Sequence, residues 1–163
     1  MELRFHTGAI GRLGTTAALT VDRQCFQLQQ GKILVSSAAD GCVGSFHAGV
    51  RGSIYTLQVS ETGEKDVGVF DGKVTLLHKQ KSLATVGVGQ GIHIQPDGNL
   101  SELHPQSGHD FEKLLDRPLI QGFRRRLPDI DRWRQNFPRL HPNFPQRRRP
   151  HDQLRISDRV FSG

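Results

Sequence analysis

Two alternating stretches joined by a polar break constrain the fold more than any other feature of the chain. Residues 53–59 alternate between two faces, and residues 66–70 do so again after the glycine-containing break at residues 60–65. A period of two, carried by β-branched and aromatic side chains, is typical of a strand and not of an amphipathic helix. The pattern predicts a strand, a hairpin and a second strand, then a tight turn at Asp71-Gly72 and a third strand over residues 74–77.

Short strand-like segments recur through the rest of the first hundred residues. Further candidates are residues 3–8, 9–14, 18–22, 25–31, 32–36, 42–47, 83–88 and 90–94. Hydrophobic residues make up 35% of the chain and 18 residues are glycine, a composition that suits a turn-rich β domain. Many short strands with no helical stretch between them predict an all-β fold: an antiparallel β-sandwich, a roll or a solenoid-like module of about 10 strands.

A weak internal repeat relates two parts of this region. Residues 30–35, with the sequence Gln-Gly-Lys-Ile-Leu-Val, are echoed by Asp-Gly-Lys-Val-Thr-Leu at residues 71–76. The offset of about 38 to 41 residues fits two related supersecondary units. We therefore predict a duplicated half-domain in which Gly31 and Gly72 adopt a positive φ or allow tight strand entry.

The character of the sequence changes after residue 100, where the alternating pattern ends. We assign residues 1–100 to one β domain. Residues 101–137 are predicted to be a linker with two short helices, at residues 109–115 and 128–137. Residues 138–163 are rich in proline and arginine, and we expect a disordered tail there.

The positive charge of the chain is concentrated in its C-terminal part. Residues 1–116 hold 10 Lys and Arg against 12 Asp and Glu, whereas residues 117–163 hold 12 Arg against 4 Asp. The arginines at 124–126 and 147–149, together with Trp133, suit contacts with nucleic-acid phosphates and bases or with an anionic membrane. Because prolines interrupt these arginines and the β domain is slightly acidic, a solvated tail is the favoured interpretation.

Cys25 and Cys42 are the two cysteines of the chain. Neither lies in a CxxC or paired-histidine motif, so the spacing predicts no metal site. Both lie in strand-like sequence, and neighbouring strands could bring them within bridging distance, in which case an extracytoplasmic protein would form a disulfide. Two buried free thiols are the favoured interpretation, since cysteine is among the residues most often buried.

The sequence shows no recognisable catalytic motif. Its eight histidines are scattered at positions 6, 47, 78, 93, 104, 109, 141 and 151. A metal site assembled from several strands is the less favoured alternative to scattered surface histidines. The carboxylates Glu64, Asp66 and Asp71 are best explained by hairpin solubility and turn formation, with a glycosidase-like pair as a minor alternative. We expect no enzymatic activity and no catalytic, cofactor-binding or metal-binding residues.

Three segments, in this order, resemble the FecR domain. Residues 50–55, Val-Arg-Gly-Ser-Ile-Tyr, resemble the family's V-R-G-T strand, residues 67–74 its V-x-V-x-x-G-x-V hairpin, and residues 86–91 its L-x-x-G-Q strand. Residues 31–35 are similar to the family's first G-x-x-x-V element. The resemblance covers about the first 100 residues. Ser53 stands where the family usually has Thr, and the Thr-Pro that often precedes the motif is absent.

The resemblance implies a β module and not the whole activity of the family. FecR-family domains are typically all-β periplasmic modules, and the founding regulators relay a signal from an outer-membrane iron-siderophore transporter to a cytoplasmic sigma factor. This sequence shows no helical sigma-binding segment before the module and no apolar run long enough to cross a membrane. Its first residues have no apolar signal segment, and a start downstream of a targeting segment stays open.

We therefore predict a standalone, non-enzymatic FecR-like module for protein–protein interaction in envelope sensing or signalling. It is expected in the periplasm or outside the cell, with the cytoplasm as the alternative, and an exposed strand edge would recruit a partner strand. The expected partner is a protein of the cell envelope, with no cofactor or small-molecule substrate. Arg51 is the polar residue of the V-R-G-S segment whose substitution by alanine should be tested first for an effect on partner affinity.

The alternative from another class is a nucleic-acid-binding protein that acts through the arginine-rich tail. A carbohydrate-active β protein is a weaker third possibility.

Overall fold

The computed structural model describes residues 1–106 of the 163-residue chain. The strands are β1 Glu2–Arg4, β2 Ile10–Leu13, β3 Ala18–Val21, β4 Phe26–Ser37, β5 Gly41–Val43, β6 Phe46–Val50, β7 Ser53–Val59, β8 Lys65–Asp71, β9 Val74–His78, β10 Lys81–Val86, β11 Gln90–Ile94 and β12 His104–Pro105. Residues 1–106 contain no helix, and hence none that could cross a membrane. The predicted all-β class is confirmed. The predicted helices at residues 109–115 and 128–137 and the tail from residue 138 lie outside the described residues.

The strands form one sheet that folds over into two halves, because β4 belongs to both. The first half has the order β1-β2-β4-β7-β8-β11-β12, and the second has the order β3-β4-β5-β6-β9-β10. Residues 31–37 of β4 pair with β7 in the first half, whereas residues 26–30 pair with β3 in the second. Within residues 1–106, every strand pair is antiparallel except β4 with β5. The short parallel pairing arises because the chain leaves β4 in the first half and returns beside the start of the same strand.

The segments that resemble the FecR domain fold as their alternation predicts. β7 and β8 pair from Ile54↔Asp71 to Val59↔Lys65. The hairpin between them is closed by a bond of 2.8 Å from the amide of Ser60 to the carbonyl of Glu64. β9 follows as predicted, but it pairs with β6 and β10 and not with β8. The turn at Asp71-Gly72 is therefore a corner between the two halves.

Several strand predictions are wrong in their boundaries. Residues 3–8 are predicted as a strand, but β1 ends at Arg4. Residues 25–31 and 32–36, predicted as two strands, form the single strand β4 except for Cys25, which lies just before it. Gly31, with a φ of 86°, turns β4 from the second half into the first without ending its hydrogen bonding. Residues 42–47, expected to form one strand, are split between β5 and β6 by a turn at Gly44-Ser45.

The predicted positive φ of Gly31 and Gly72 is confirmed, with values of 86° and 77°. Both glycines lie where the chain passes between the halves, Gly31 from the second to the first and Gly72 from the first to the second. The two glycines of the sequence repeat thus both lie at corners, but the chain crosses between the halves in opposite directions at the two positions. The duplication itself stays a prediction.

The hydrophobic core is formed by the facing surfaces of the two halves. The first half contributes Ile33, Val35, Tyr55, Leu57, Val67, Val69 and Ile92, and the second contributes Phe26, Leu28, Val43, Ala48, Val74, Leu76 and Val86. Gly41 shows how closely they approach, because a Cβ there would lie 2.4 Å from Phe26 and 2.6 Å from Leu57. Each fully buried aliphatic or aromatic side chain contributes about 1.5–3 kcal/mol, so packing between the halves holds the fold together.

Candidate functional site

Four strands of the described part leave one edge without a partner strand, namely β1, β3, β10 and β12. A free edge is a template for a strand of another chain unless it is very short, charged or bulged. β1 and β12 are only 3 and 2 residues long. β10 begins with Lys81 and carries the bulged residue Leu83. β3, with the sequence Ala-Leu-Thr-Val, has no charge, and its Val21 is 67% exposed. The bulge in its pairing with β4 is at Gln29 of β4 and not on β3. The edge of β3 is therefore the least protected.

An open groove lies at the end of β3. We call it the cystine groove; it runs between residues 3–7 and residues 21–26, above residues 38–40, and has a volume of about 460 Å³. Its lining is largely apolar, with Phe5 and Phe26 in contact at a ring-centroid distance of 5.6 Å. An extended segment added to β3 would thus have an apolar recess beside it for a side chain.

Cys25, which lines this groove, forms a disulfide with Cys42, and the two Cα atoms lie 5.9 Å apart. The favoured expectation of two free thiols is therefore wrong, and the alternative is confirmed. The physical reason is the parallel pairing of β4 with β5, which places Gln27 beside Cys42 and so brings Cys25 close to it. A sequence-local argument cannot detect this pairing, because it depends on the path of the chain through both halves.

A carboxylate links the turn after β4 to β6 next to the disulfide. Asp40 contacts Nε2 of His47 through Oδ2 at 2.9 Å, and its Oδ1 accepts the backbone N–H of Val50 at 2.9 Å. Cys42 and His47 are opposite residues of the β5–β6 hairpin. The sulfurs of Cys25 and Cys42 and a ring nitrogen of His47 all lie within 4.8 Å of one another.

Tyr55 fastens the same turn from inside the core. Its side chain is fully buried, and its hydroxyl donates a hydrogen bond to the carbonyl of Ala39, which lines the cystine groove. The pKa of Tyr55 lies well above its usual value, chiefly because burial disfavours the phenolate and secondarily because of the negative charge of Asp40. The floor of the groove is therefore coupled to the protonated form of this phenol.

We expect the stability of the protein to fall as the pH rises above about 10, where an unfolded tyrosine ionises but native Tyr55 keeps its proton. Below that pH the protonated Tyr55 makes its full contribution to the free energy of unfolding. Tyr55 is the only tyrosine of the chain, so phenolate absorbance reports on it alone. Absorbance and circular dichroism should change together in an alkaline titration.

Tyr55→Phe serves as the control for this titration. It should lower the free energy of unfolding at neutral pH by about 1–2 kcal/mol, because the carbonyl of Ala39 loses its partner. In this variant the free energy of unfolding should also fall less as the pH rises above about 10. Phenolate absorbance that appears near pH 10 in the folded protein would contradict the expectation.

Of the remaining sequence candidates, His6 lines the cystine groove, whereas His78 and His93 do not. His93 pairs with Asp66 across β11 and β8 at 2.8 Å, on the first half of the sheet. His78 stacks against Phe46 at a centroid distance of 4.9 Å. Arg51 is exposed and lines a second open depression with Lys73, which adjoins the cystine groove at Asp40 and Val50.

The three hairpin carboxylates differ in their surroundings. Asp71 is buried, whereas the side chain of Asp66 is 51% exposed and bonded to His93. Glu64 lies in the hairpin turn before β8. Their proposed roles in hairpin solubility and turn formation stay predictions.

Sequence reasoning missed the cluster of Cys25, Cys42 and His47. A Gly44-Ser45 turn between Val43 and Phe46 was the available signal, since a two-residue loop places the preceding cysteine opposite the following histidine. Cys25 gave no comparable signal, because only the fold brings it to this hairpin.

Comparison with known proteins relates this chain to others through its fold alone. No protein-family profile and no curated protein matches it. Two crystal structures of a candidate anti-sigma factor from Parabacteroides distasonis ATCC 8503 are similar, each with a TM-score of 0.58 at 10% sequence identity. The similarity covers 71% of this chain and 59% of each of those chains, so this chain spans less than two thirds of their length. At this identity the similarity shows a shared fold.

Proposed function

We propose that this protein is a non-enzymatic FecR-like module that binds a protein partner of the cell envelope in sensing or signalling. The observation that carries the proposal is the uncharged free edge of β3 beside the apolar cystine groove. Two further observations support it. The fold is shared with a candidate anti-sigma factor, a class of protein that acts by binding another protein. The disulfide is typical of oxidising compartments outside the cytoplasm.

The mechanism we propose is the addition of a partner strand to β3. Backbone hydrogen bonds along the free edge would supply affinity, and alternate side chains of the added strand would supply specificity. One of these side chains would enter the recess formed by Leu3, Phe5 and Phe26. Arg4, Arg23 and Asp22 line the same groove and would favour a partner with both acidic and basic side chains.

A photo-crosslinking residue in place of Val21 tests this mechanism in cells of the organism that produces the protein. We expect a discrete crosslinked protein, because Val21 would lie within the contact. The matched control is the same replacement at Leu83, which is 42% exposed on β10 at the opposite end of the second half. Val21→Asp should weaken binding of the captured partner at least about tenfold, whereas Leu83→Asp should not. Equal crosslinking from both positions would contradict a role for the β3 edge.

A nucleic-acid-binding function is the second candidate, supported by the 12 arginines against 4 aspartates in residues 117–163. Cell fractionation and a gel shift with the full chain separate the two functions. The envelope proposal predicts an extracytoplasmic protein with oxidised cysteines, revealed by their resistance to alkylation. A cytoplasmic protein that binds nucleic acid with steep salt dependence would contradict that proposal and favour the alternative.

A further inference from the structure

The disulfide, His47 and Asp40 together form more than a structural bridge. Three donor atoms, the two cysteine sulfurs and a ring nitrogen of His47, lie within 4.8 Å of one another. They come from three separate parts of the chain: the residue before β4, the middle of β5 and β6. We propose that, when the disulfide is reduced, Cys25, Cys42 and His47 bind a zinc ion. This inference does not depend on the proposed partner-binding function.

The positions of the three donors suit a tetrahedral ion. With Zn–S and Zn–N distances of about 2.3 and 2.0 Å, neighbouring ligand atoms of a tetrahedral site lie about 3.5–3.8 Å apart. The sulfurs separate when the S–S bond is broken, and the ring nitrogen of His47 has to approach them by at most about 1.3 Å from the 4.8 Å limit. Because His47 and Cys42 are opposite residues of a hairpin, their side chains lie on the same face of the sheet, and the approach needs no change of strand register.

Asp40 prepares His47 for this role. Its Oδ2 lies 2.9 Å from Nε2 of His47, and its Oδ1 is held by the backbone N–H of Val50. With Nε2 donating its proton in a hydrogen bond to this carboxylate, Nδ1 keeps its lone pair and is the ring nitrogen that we propose for the metal. Carboxylates bonded to the second ring nitrogen orient histidine ligands and raise their basicity in many zinc proteins.

A dithiol is the reductant that opens the disulfide before zinc binds. The dithiol transfers two electrons and two protons to the cystine, breaks the S–S bond and becomes a disulfide itself. Zinc then replaces the two thiol protons, which pass to solvent, and its double positive charge neutralises the two thiolates. Water completes the fourth position. Cys25 is partly exposed and lines the cystine groove, so a reductant reaches it from solvent.

Titration of the full chain with Co²⁺ tests the proposal, because tetrahedral thiolate sites give Co²⁺ characteristic charge-transfer and visible bands. After reduction with a phosphine, one Co²⁺ per chain is expected with these bands, and Zn²⁺ should displace it. The disulfide form should show none. His47→Ala should weaken binding at least tenfold, and Asp40→Asn about 10- to 100-fold. His93→Ala, which disrupts the matched His93–Asp66 pair, should leave Co²⁺ binding unchanged.

Circular dichroism recorded in the same titration distinguishes a reduced, folded protein that does not bind Co²⁺ from one that has unfolded. If reduction leaves the β-sheet spectrum intact and no charge-transfer band appears, the proposal is wrong. It is equally wrong if His47→Ala binds Co²⁺ as tightly as the unaltered chain. If reduction unfolds the protein, Co²⁺ must restore the β-sheet spectrum, and failure to do so also overturns the proposal.

Discussion

Replacing Cys25 and Cys42 together with serine is expected to lower the free energy of unfolding by about 3 kcal/mol, one of the two largest effects that the structure predicts. The bond joins residues 17 apart in sequence, and closing a loop of this size removes about 3 kcal/mol of chain entropy from the unfolded state. The disulfide also holds β5 beside β4 in the folded protein, because these two strands share only two register positions, Phe26↔Gly41 and Gln27↔Cys42.

Urea unfolding followed by circular dichroism measures this effect. The midpoint should fall, and the dependence on urea should steepen because the unfolded chain becomes more expanded. The unaltered protein treated with a reductant and a chelator is the matched control and should unfold at the same midpoint as the double variant. A midpoint unchanged in both samples would show that the disulfide contributes nothing to stability.

Gly31→Ala is expected to be the second large perturbation, with a loss of about 2–4 kcal/mol. Gly31 has a φ of 86°, a backbone conformation that alanine rarely adopts. In addition, a Cβ at this position would lie 2.5 Å from the Cα of Ala17, which is backbone and cannot rotate away. The corner of β4 between the two halves would therefore have to open.

Gly8→Ala separates the two contributions. Gly8 has nearly the same φ, 87°, but a Cβ there would meet nothing within 4 Å. It should lose only the conformational part, about 1 kcal/mol. Chemical unfolding of the two variants side by side gives the steric part as their difference. Equal losses at Gly8 and Gly31 would contradict the close approach of Ala17.

The predicted all-β fold is confirmed, whereas the function that the resemblance to the FecR domain implies is a proposal. The all-β class and the positions of β7, β8 and β9 were predictable from alternation, because side chains of a strand alternate between faces every two residues. The shared fold with a candidate anti-sigma factor is in keeping with the resemblance at the level of architecture. An envelope role, a FecR-like partner and the absence of enzymatic activity remain for the crosslinking and fractionation experiments.

The candidate site was much less accessible to prediction. Val21 was recognised as part of a strand, but its exposure on a free edge depends on β3 pairing only with β4. The cystine groove joins residues 3–7, 21–26 and 38–40, which no periodicity relates to one another. Scattered surface histidines are the favoured interpretation of the sequence, because His47 lies beside Cys42 only across the β5–β6 hairpin and not at ligand spacing along the chain.

The sequence by itself determined the all-β class and the positive φ of Gly31 and Gly72, because side-chain alternation and a positive φ are local properties. Only the tertiary structure decided that β4 continues through Gly31 into both halves, that β5 returns parallel to its start, and that Cys25 thereby meets Cys42. The physical reason is that burial of the core selects which strands are neighbours. That selection is made by the whole set of apolar faces at once, and no single segment of the chain encodes it.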